Sequence, residues 1–316
     1  MAYTPPSLAD VQCAAERIAP YANRTPVLTS SSINKMVGAN LYFKCENFQK
    51  VGAFKFRGAC NAVFSLSIAE AAKGVATHSS GNHGAALALA GSLRNIPVHV
   101  VMPNNALNIK KDAVAGYGAE ITYCEPTLDA RESNLNKILD STGAIMIHPY
   151  NDERIIAGQG TAALELLEEY PKLEVVMTPI GGGGLMSGTC ISAKGINSKI
   201  TVVGAEPKGA DDAYQSLNKG EIVPQTDPQT MADGLLTSLG VKTFPIIKEH
   251  VQEIITVSEE NIVKAMKLVW VELNIVIEPS SAVVLGALFE DPYTMKGKNV
   301  GMILSGGNAD LENLPW

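Results

Sequence analysis

Apolar residues along this chain fall into short runs, and amphipathic segments separate these runs over most of the sequence. The runs at residues 75–78, 98–102 and 175–179 are rich in Val, which is typical of strands covered on both faces of a sheet. The segments between the runs carry apolar positions at helical spacing. The pattern therefore predicts an α/β fold with two open parallel sheets and crossover helices.

Four of the predicted strands lie within residues 74–150, in the order βαβαβαβ, and predict one parallel sheet. A second α/β run follows, and residues 206–250 hold turn signals that predict a looser connection. The predicted strands are 41–45, 75–78, 98–102, 120–123, 144–147, 175–179, 201–205 and 299–304. The predicted helices are 7–20, 56–66, 84–93, 106–116, 131–141, 160–170, 185–195, 259–273 and 280–288.

Composition narrows the classes of protein that remain. The 316 residues include 25 Lys and Arg and 32 Asp and Glu, a net charge of −7, which argues against general nucleic-acid binding. No run of 18 apolar residues occurs, so no membrane span is expected. The N-terminal residues lack the basic and apolar regions of a signal peptide. The five scattered cysteines include no CxxC pair, so we expect neither a zinc site nor disulfides. This cysteine usage favours a cytoplasmic location.

Three glycine-rich turns follow predicted strands, at residues 79–84 (SSGNHG), 181–184 (GGGG) and 305–308 (SGGN). Ligands of parallel α/β sheets bind at the carboxyl ends of the strands, and glycine amides and helix N-termini bind anions. One glycine run is often only a flexible turn, but three such turns predict a phosphate site. None matches the P-loop or a first-strand GxGxxG motif. A non-catalytic phosphate- or nucleotide-binding protein remains an alternative.

Lys55 lies between Phe54 and Phe56, just before an Ala-rich predicted helix. Aromatic neighbours can desolvate an amine, which lowers its pKa and makes it a nucleophile. Taken alone, however, Lys55 and Arg57 are more typical of ordinary surface cations.

The segment 54–59 (FKFRGA) and the three glycine-rich turns occur in a characteristic order and spacing. Together they resemble the serine racemase and serine/threonine dehydratase family of fold-type II pyridoxal-phosphate enzymes, whose fold is tryptophan synthase β-like. The match covers nearly the whole chain. The resemblance implies a large cofactor-binding domain of residues 1–73 and 151–316, with a small mobile domain of residues 74–150 inserted in it. It also implies a homodimer that acts on a small amino acid.

The resemblance assigns roles to individual residues around pyridoxal 5′-phosphate. Lys55 would form the Schiff base, Phe54 would pack on the ring, Asn82 would hydrogen-bond the ring hydroxyl, and Ser305 would meet the pyridine nitrogen. A neutral hydroxyl there adds no negative charge, so the resemblance favours β-elimination and α-proton exchange over transamination. The 5′-phosphate is assigned to the backbone amides of Gly181, Gly182, Gly183 and Gly184.

The implied activity is interconversion of L- and D-serine, with elimination of serine to pyruvate and ammonia. Lys55 and Ser80 would exchange the α-proton on opposite faces of the substrate. A dehydratase of threonine or 3-hydroxyaspartate is an alternative, and the SSGNHG form argues against a cysteine synthase or a tryptophan synthase β-like enzyme. The substrate is assigned to Ser79, Ser80, Asn82, His83 and Arg131. His83 could equally be a structural histidine, and Arg131 a solvated helix charge.

An acidic turn at residues 204–212 suggests a second site. The resemblance implies that Glu206, the carbonyl of Ala210 and Asp212 hold Mg²⁺, Mn²⁺ or Ca²⁺, which prefer oxygen ligands. Without the resemblance, such a turn is usually a solvated loop. Relatives that ATP activates carry basic residues at positions that align with Glu272 and Asn274, and an acidic residue repels a triphosphate. ATP activation by the same contacts is therefore not expected.

Overall fold

The computed structural model describes residues 3–79, 81–106 and 108–316, apart from the side chain of Ile109. Within these residues the helices are α1 (Leu8–Ile18), α2 (Ser31–Val37), α3 (Lys55–Ser65), α4 (Ile68–Ala71), α5 (Asn82–Arg94), α6 (Asn108–Gly116), α7 (Leu128–Thr142), α8 (Glu153–Glu169), α9 (Gly184–Ile196), α10 (Asp212–Lys219), α11 (Thr243–His250), α12 (Glu259–Leu273) and α13 (Pro279–Glu290). The strands are β1 (Val27–Leu28), β2 (Asn40–Cys45), β3 (Val75–His78), β4 (Val98–Pro103), β5 (Glu120–Cys124), β6 (Ile145–Met146), β7 (Val175–Pro179), β8 (Thr201–Pro207), β9 (Val251–Val257) and β10 (Asn299–Leu304). Short 3₁₀ turns lie at Glu46–Phe48, Lys50–Gly52, Lys208–Ala210 and Asp233–Leu235.

Two sheets organise these elements, which confirms the predicted α/β class. The larger sheet has the strand order β1-β2-β10-β7-β8-β9 and is parallel except for β1, which pairs antiparallel with β2 at the edge. The smaller sheet has the order β5-β4-β3-β6 and is entirely parallel. Its strands all come from residues 75–146, between strands β2 and β7 of the larger sheet.

Apolar side chains cover both faces of each sheet, and this explains the continuous Val-rich runs. Along β7, Val175 and Met177 join one cluster of buried side chains, while Val176 between them joins another. In the smaller sheet, Val75 and Ala76 likewise belong to different clusters. Successive strand residues point to opposite faces, so central strands such as β3 and β7 are buried on both sides.

The structure differs from the sequence prediction where helices contain glycine or begin in polar turns. Helix α8 begins at Glu153, seven residues before the predicted start, because the Asp152 side chain accepts a hydrogen bond from the amide of Arg154. Residues 206–250, predicted as loose, contain α10 and α11. In the described parts of the chain, no helix is long and apolar enough to cross a membrane.

Glycines let α3 and α8 approach closely. A Cβ atom on Gly158 would lie 2.6 Å from the Cα of Gly58, and one on Gly58 would lie 2.5 Å from the Gln159 side chain. These helices therefore pack with backbone near backbone, and α3 is fixed against the larger sheet's helical layer. Lys55 is the first residue of α3, so this packing sets the position of the candidate site.

Candidate active site

Lys55 is the first residue of α3, and its side chain is half-buried. Its Nζ donates a hydrogen bond to the carbonyl of Pro149 at 3.3 Å and lies 5.0 Å from the centre of the Phe54 ring. Loss of water from the ammonium group lowers the Lys55 pKa to about 8, although the carboxylate of Glu278 acts to raise it. A substantial fraction of the amine is therefore neutral near physiological pH.

The tetraglycine segment leads from β7 into the N-terminus of α9. Gly183 has φ +87°, a conformation that favours glycine, and no side chain caps this end of the helix. A Cβ atom on Gly182 would lie 2.3 Å from the Tyr150 ring, so no larger residue fits there. Bare amides at an uncapped helix N-terminus form a site for an anion. Gly181 to Gly184 thus fit the 5′-phosphate of the predicted cofactor.

The turn that follows β10 holds Ser305 beside the start of α3. The carbonyl of Ser305 accepts a hydrogen bond from the amide of Phe54 at 2.9 Å, and Ser305 is 2% exposed. Phe54 packs against a small buried cluster that includes Leu185 and Ile303. The structure therefore places Ser305 next to Phe54 and Lys55.

The turn after β3 is held by its own side chains. Ser79 Oγ accepts hydrogen bonds from the amides of Gly81 at 3.3 Å and Gly84 at 3.2 Å, and so satisfies a donor at the start of α5. Ser80, the second predicted acid/base, lies outside the described residues.

Asn82, at the start of α5, forms hydrogen bonds to Glu278 before α13 and to Asn308 after β10. Its Nδ2 donates to both carboxylate oxygens of Glu278 at 3.0 Å, and its Oδ1 accepts from Asn308 Nδ2 at 2.8 Å. Glu278 is buried, and burial raises its pKa to about 7. Our sequence reasoning missed Glu278. The signal was present as an acid between the apolar residues 275–277 and Pro279, which opens α13.

His83 is buried beneath the same turn, and its Nε2 lies 3.2 Å from the carbonyl of Ile147. Burial lowers the His83 pKa to about 3, so the ring is neutral, and its Nδ1 has no hydrogen-bond partner in the described part of the chain. Arg131 is half-buried in the first turn of α7, where its Nε donates to the carbonyl of Thr127. Burial lowers the pKa of His78, and the charge of Arg131 lowers it further.

Glu206, Ala210 and Asp212 come together at the end of β8. Glu206 and Asp212 are 1% and 4% exposed, and burial raises their pKa values to about 9 and about 7. Glu206 Oε1 accepts from the amide of Tyr214, whereas Asp212 Oδ2 is buried without a partner among the described residues. No group of three His, Cys, Asp or Glu side chains occurs in the same residues. Two buried carboxylates and a carbonyl still fit a hard divalent cation.

Arg57 corrects one alternative from the sequence. It is fully buried rather than a surface cation, and it is paired with Glu46 and Glu165. The burial of Arg57 could not be predicted from the sequence. Glu165 lies far from it along the chain, and Glu46 lies in another element, so only the fold brings them to Arg57.

Comparisons with known proteins identify the family of this chain. A family model described as "Pyridoxal-phosphate dependent enzyme" matches residues 18–306. Serine racemase of Dictyostelium discoideum is 52% identical, with 98% of this chain and 96% of that protein covered. The β-hydroxyaspartate dehydratase of Paracoccus denitrificans is also 52% identical, over 98% of this chain and 99% of that protein. The solved structure of maize serine racemase is 45% identical, covers 98% and 95% of the two chains, and has a TM-score of 0.96.

The two-sheet α/β fold is that of the cofactor-dependent enzymes of fold-type II. The chain belongs to the family of pyridoxal-phosphate-dependent enzymes, with serine racemases and dehydratases among its relatives.

Proposed function

We propose that this protein is a serine racemase that also eliminates water from serine to give pyruvate and ammonia. The observation that carries the proposal is the position of the Lys55 amine, which donates to the carbonyl of Pro149 after β6 while the adjacent Phe54 amide donates to Ser305 after β10. The likeness to serine racemases over nearly the whole chain supports it. Bound through this amine, pyridoxal phosphate supplies an electron sink that makes the α-proton of an amino acid acidic.

The chain's own residues would hold and orient the reacting groups. Gly181–Gly184 would bind the phosphate through backbone amides, and Phe54, Asn82 and Ser305 would fix the ring. Lys55 would take or return the α-proton on one face, because its lowered pKa leaves a neutral amine available. We also propose that residues 74–150 move as a unit, so that the cleft opens to substrate and closes to exclude water.

Ser80 is proposed as the acid/base on the opposite face, with Ser79, Asn82, His83 and Arg131 near the substrate carboxylate. The test is Ser80→Ala, assayed with L-serine by chiral chromatography for D-serine and by pyruvate release. We expect racemisation to collapse while the visible absorbance of the lysine-bound cofactor persists. Unchanged formation of D-serine would refute this role for Ser80. Lys55→Ala is the companion variant, and a normal cofactor spectrum in it would refute the whole proposal.

A dehydratase of 3-hydroxyaspartate is the second candidate, because the dehydratase from Paracoccus is as similar in sequence as the Dictyostelium racemase. Both enzymes would share the fold and the lysine. Parallel assays with L-serine, L-threonine and 3-hydroxyaspartate separate them, since a dedicated dehydratase would release ammonia without forming a D-amino acid.

We further propose that Glu206, Ala210 and Asp212 bind a divalent cation such as Mg²⁺, Mn²⁺ or Ca²⁺. The support is the orphan Asp212 Oδ2 and the raised pKa values of two adjacent buried carboxyls. A cation would replace the protons that otherwise neutralise them. Isothermal titration of the chelator-treated protein with Mg²⁺ or Ca²⁺ tests the site, and Asp212→Asn is expected to abolish the binding.

A cytoplasmic homodimer completes the proposal. Trp270 and Val271 on α12 and Leu311 and Trp316 in the C-terminal segment are exposed, and the two Trp rings pack edge to face at 5.4 Å. Sedimentation equilibrium tests the dimer, and Val271→Glu is expected to weaken it. All five cysteines are free, which suits a reducing compartment.

A further inference from the structure

Beneath the first turn of α3, four charged side chains form a buried network with no part in the proposed chemistry. Arg57, Lys44 and Glu46 are fully buried, and the Glu165 side chain is 16% exposed. Arg57 Nε and Nη2 donate to Glu46 at 2.7 and 2.8 Å, while Nη1 and Nη2 donate to Glu165 at 2.7 and 2.9 Å. Lys44 Nζ donates to Glu165 at 2.6 Å. Two cations face two carboxylates, so the network is neutral.

This network ties α3 to three other segments. Lys44 belongs to β2, Glu46 begins the 3₁₀ turn after it, and Glu165 belongs to α8. On the same face of α8, Thr161 Oγ1 accepts a further hydrogen bond from Arg57 Nη1 at 3.2 Å. A planar guanidinium that grips two carboxylates at once fixes orientation as well as distance.

Besides Arg57, the first turn of α3 is held by the close approach of Gly58 to Gly158 and by backbone hydrogen bonds. No side chain caps its N-terminus, and its early amides at residues 56–58 donate to Ala53 O, Phe54 O and Gln159 Oε1. Residues two apart on a helix project about 200° from each other, because each residue turns the chain by about 100°. Arg57 therefore points into the interior while Lys55 points towards the cleft, on opposite sides of one turn.

We propose that Arg57 is a positioning residue for Lys55, and that its double fork onto Glu46 and Glu165 aims the Lys55 amine by immobilising the first turn of α3. The inference rests on the proposed catalytic role of Lys55. It goes further by assigning the precision of that lysine to the hydrogen bonds of the Arg57 guanidinium with Glu46 and Glu165, in which Lys44 takes no part. A lysine at position 57 would keep the positive charge but lose the planar fork, so the turn would loosen.

The test compares Arg57→Lys with Lys44→Met, a matched control that removes another buried cation on the same Glu165 but from β2. For each variant, kcat and KM for serine, the urea midpoint, and hydrogen exchange at residues 56–58 of the cofactor-free protein are measured. We expect Arg57→Lys to lower kcat by roughly 10- to 100-fold with little change in KM, because small misplacements are costly in catalysis. We also expect faster exchange at residues 56–58. Lys44→Met should keep most of kcat and the slow exchange.

Equal losses of kcat in the two variants at equal loss of stability would overturn the inference, since the network would then be structural only. If Arg57→Lys does not fold, Thr161→Val removes a single bond to Arg57 and should give a weaker form of the same pattern. Unchanged exchange at residues 56–58 and unchanged kcat in Thr161→Val would then overturn it. An active Lys55→Ala variant would instead refute the proposed function, whatever Arg57→Lys shows.

Discussion

Two groups of buried charged side chains in this molecule differ in how they reach neutrality. The network around Arg57 contains cations and carboxylates in equal number, and Glu46 and Glu165 each accept two hydrogen bonds from one guanidinium. Glu206 and Asp212 have the same sign of charge, and one Asp212 oxygen has no partner among the described residues. The first group has charge partners within the chain, whereas the second has no basic partner among the residues that the structure describes.

The pKa values show the same difference. The pKa of Glu165 lies below its usual range, because hydrogen bonds and charge from Arg57 and Lys44 outweigh its burial. The pKa values of Glu206 and Asp212 rise to about 9 and about 7, because burial dominates and neighbouring acids add to it. A buried charge is tolerated when it is paired. The acidic pair must therefore hold protons or acquire a cation, which is why we assign a ligand to it and none to the Arg57 network.

We expect the largest loss of stability when the positive charge of Arg57 is removed from its neutral network. Arg57→Met leaves Glu46 and Glu165 buried without their main partner, and we expect a loss of about 3–5 kcal/mol in the free energy of unfolding. Urea unfolding followed by circular dichroism measures it. Thr161→Val removes one neutral acceptor of Arg57 and a hydrogen bond to the Gly158 carbonyl, and it should cost only about 1–2 kcal/mol. A loss in Arg57→Met no larger than in Thr161→Val would mean that the network contributes little to folding.

Binding of a divalent cation to Glu206 and Asp212 should give the next largest change in stability. Mg²⁺ or Ca²⁺ at 100 times its dissociation constant is expected to stabilise the protein by about 2.7 kcal/mol, because it binds only the folded site. Thermal melts in chelator and in excess cation measure the shift. Asp212→Asn should remove the response, while Lys44→Met should keep it. A response that survives in Asp212→Asn would place the cation elsewhere.

Without a cation, stability should depend on pH in a direction fixed by the acidic pair. The folded pKa values of Glu206 and Asp212 are raised, so between about pH 4 and pH 9 the folded state binds more protons than the unfolded state. The unfolding free energy therefore falls as pH rises through this window, by at most about 1.4 kcal/mol per pH unit for each proton. Melts in chelator across that range measure the slope. Glu206→Gln should flatten it, and an unchanged slope in that variant would assign the pH dependence to other groups.

The alternating strands and helices and the glycine-rich turns could be predicted from the sequence, because both depend on local patterns. Val75–His78, Val175–Pro179, Glu259–Leu273 and Asn299–Leu304 have the predicted bounds. The start of α8 was predicted too late, because Gly158 and Gly160 resemble breaks in a helix. In the structure Gly158 is where α8 approaches α3, which is a tertiary requirement invisible to a local pattern.

Charge pairing was the least predictable part of the site. Arg57 and Glu165 are 108 residues apart, and Asn82 and Glu278 are 196 apart, so only the fold brings them together. The sequence indicated Glu206 and Asp212 through the resemblance to a family, yet their burial and raised pKa values required the structure. The identity of a charged residue in the sequence therefore does not reveal whether its side chain is solvated, ion-paired or available to bind a ligand.

Lys55 and Glu278 are intermediate between the neutral Arg57 network and the acidic pair Glu206 and Asp212. They give the prediction with the smallest expected effect. Their charges are opposite, yet burial moves both towards neutrality, with pKa values of about 8 and about 7. Only a neutral amine attacks the aldehyde of pyridoxal phosphate, so the rate at which cofactor-free protein turns yellow should rise with a midpoint near pH 8. Glu278→Gln removes the carboxylate that raises the Lys55 pKa, so this midpoint should move to lower pH. A midpoint near that of free lysine, or an upward shift in Glu278→Gln, would show that the amine is solvated and that Glu278 does not act on it.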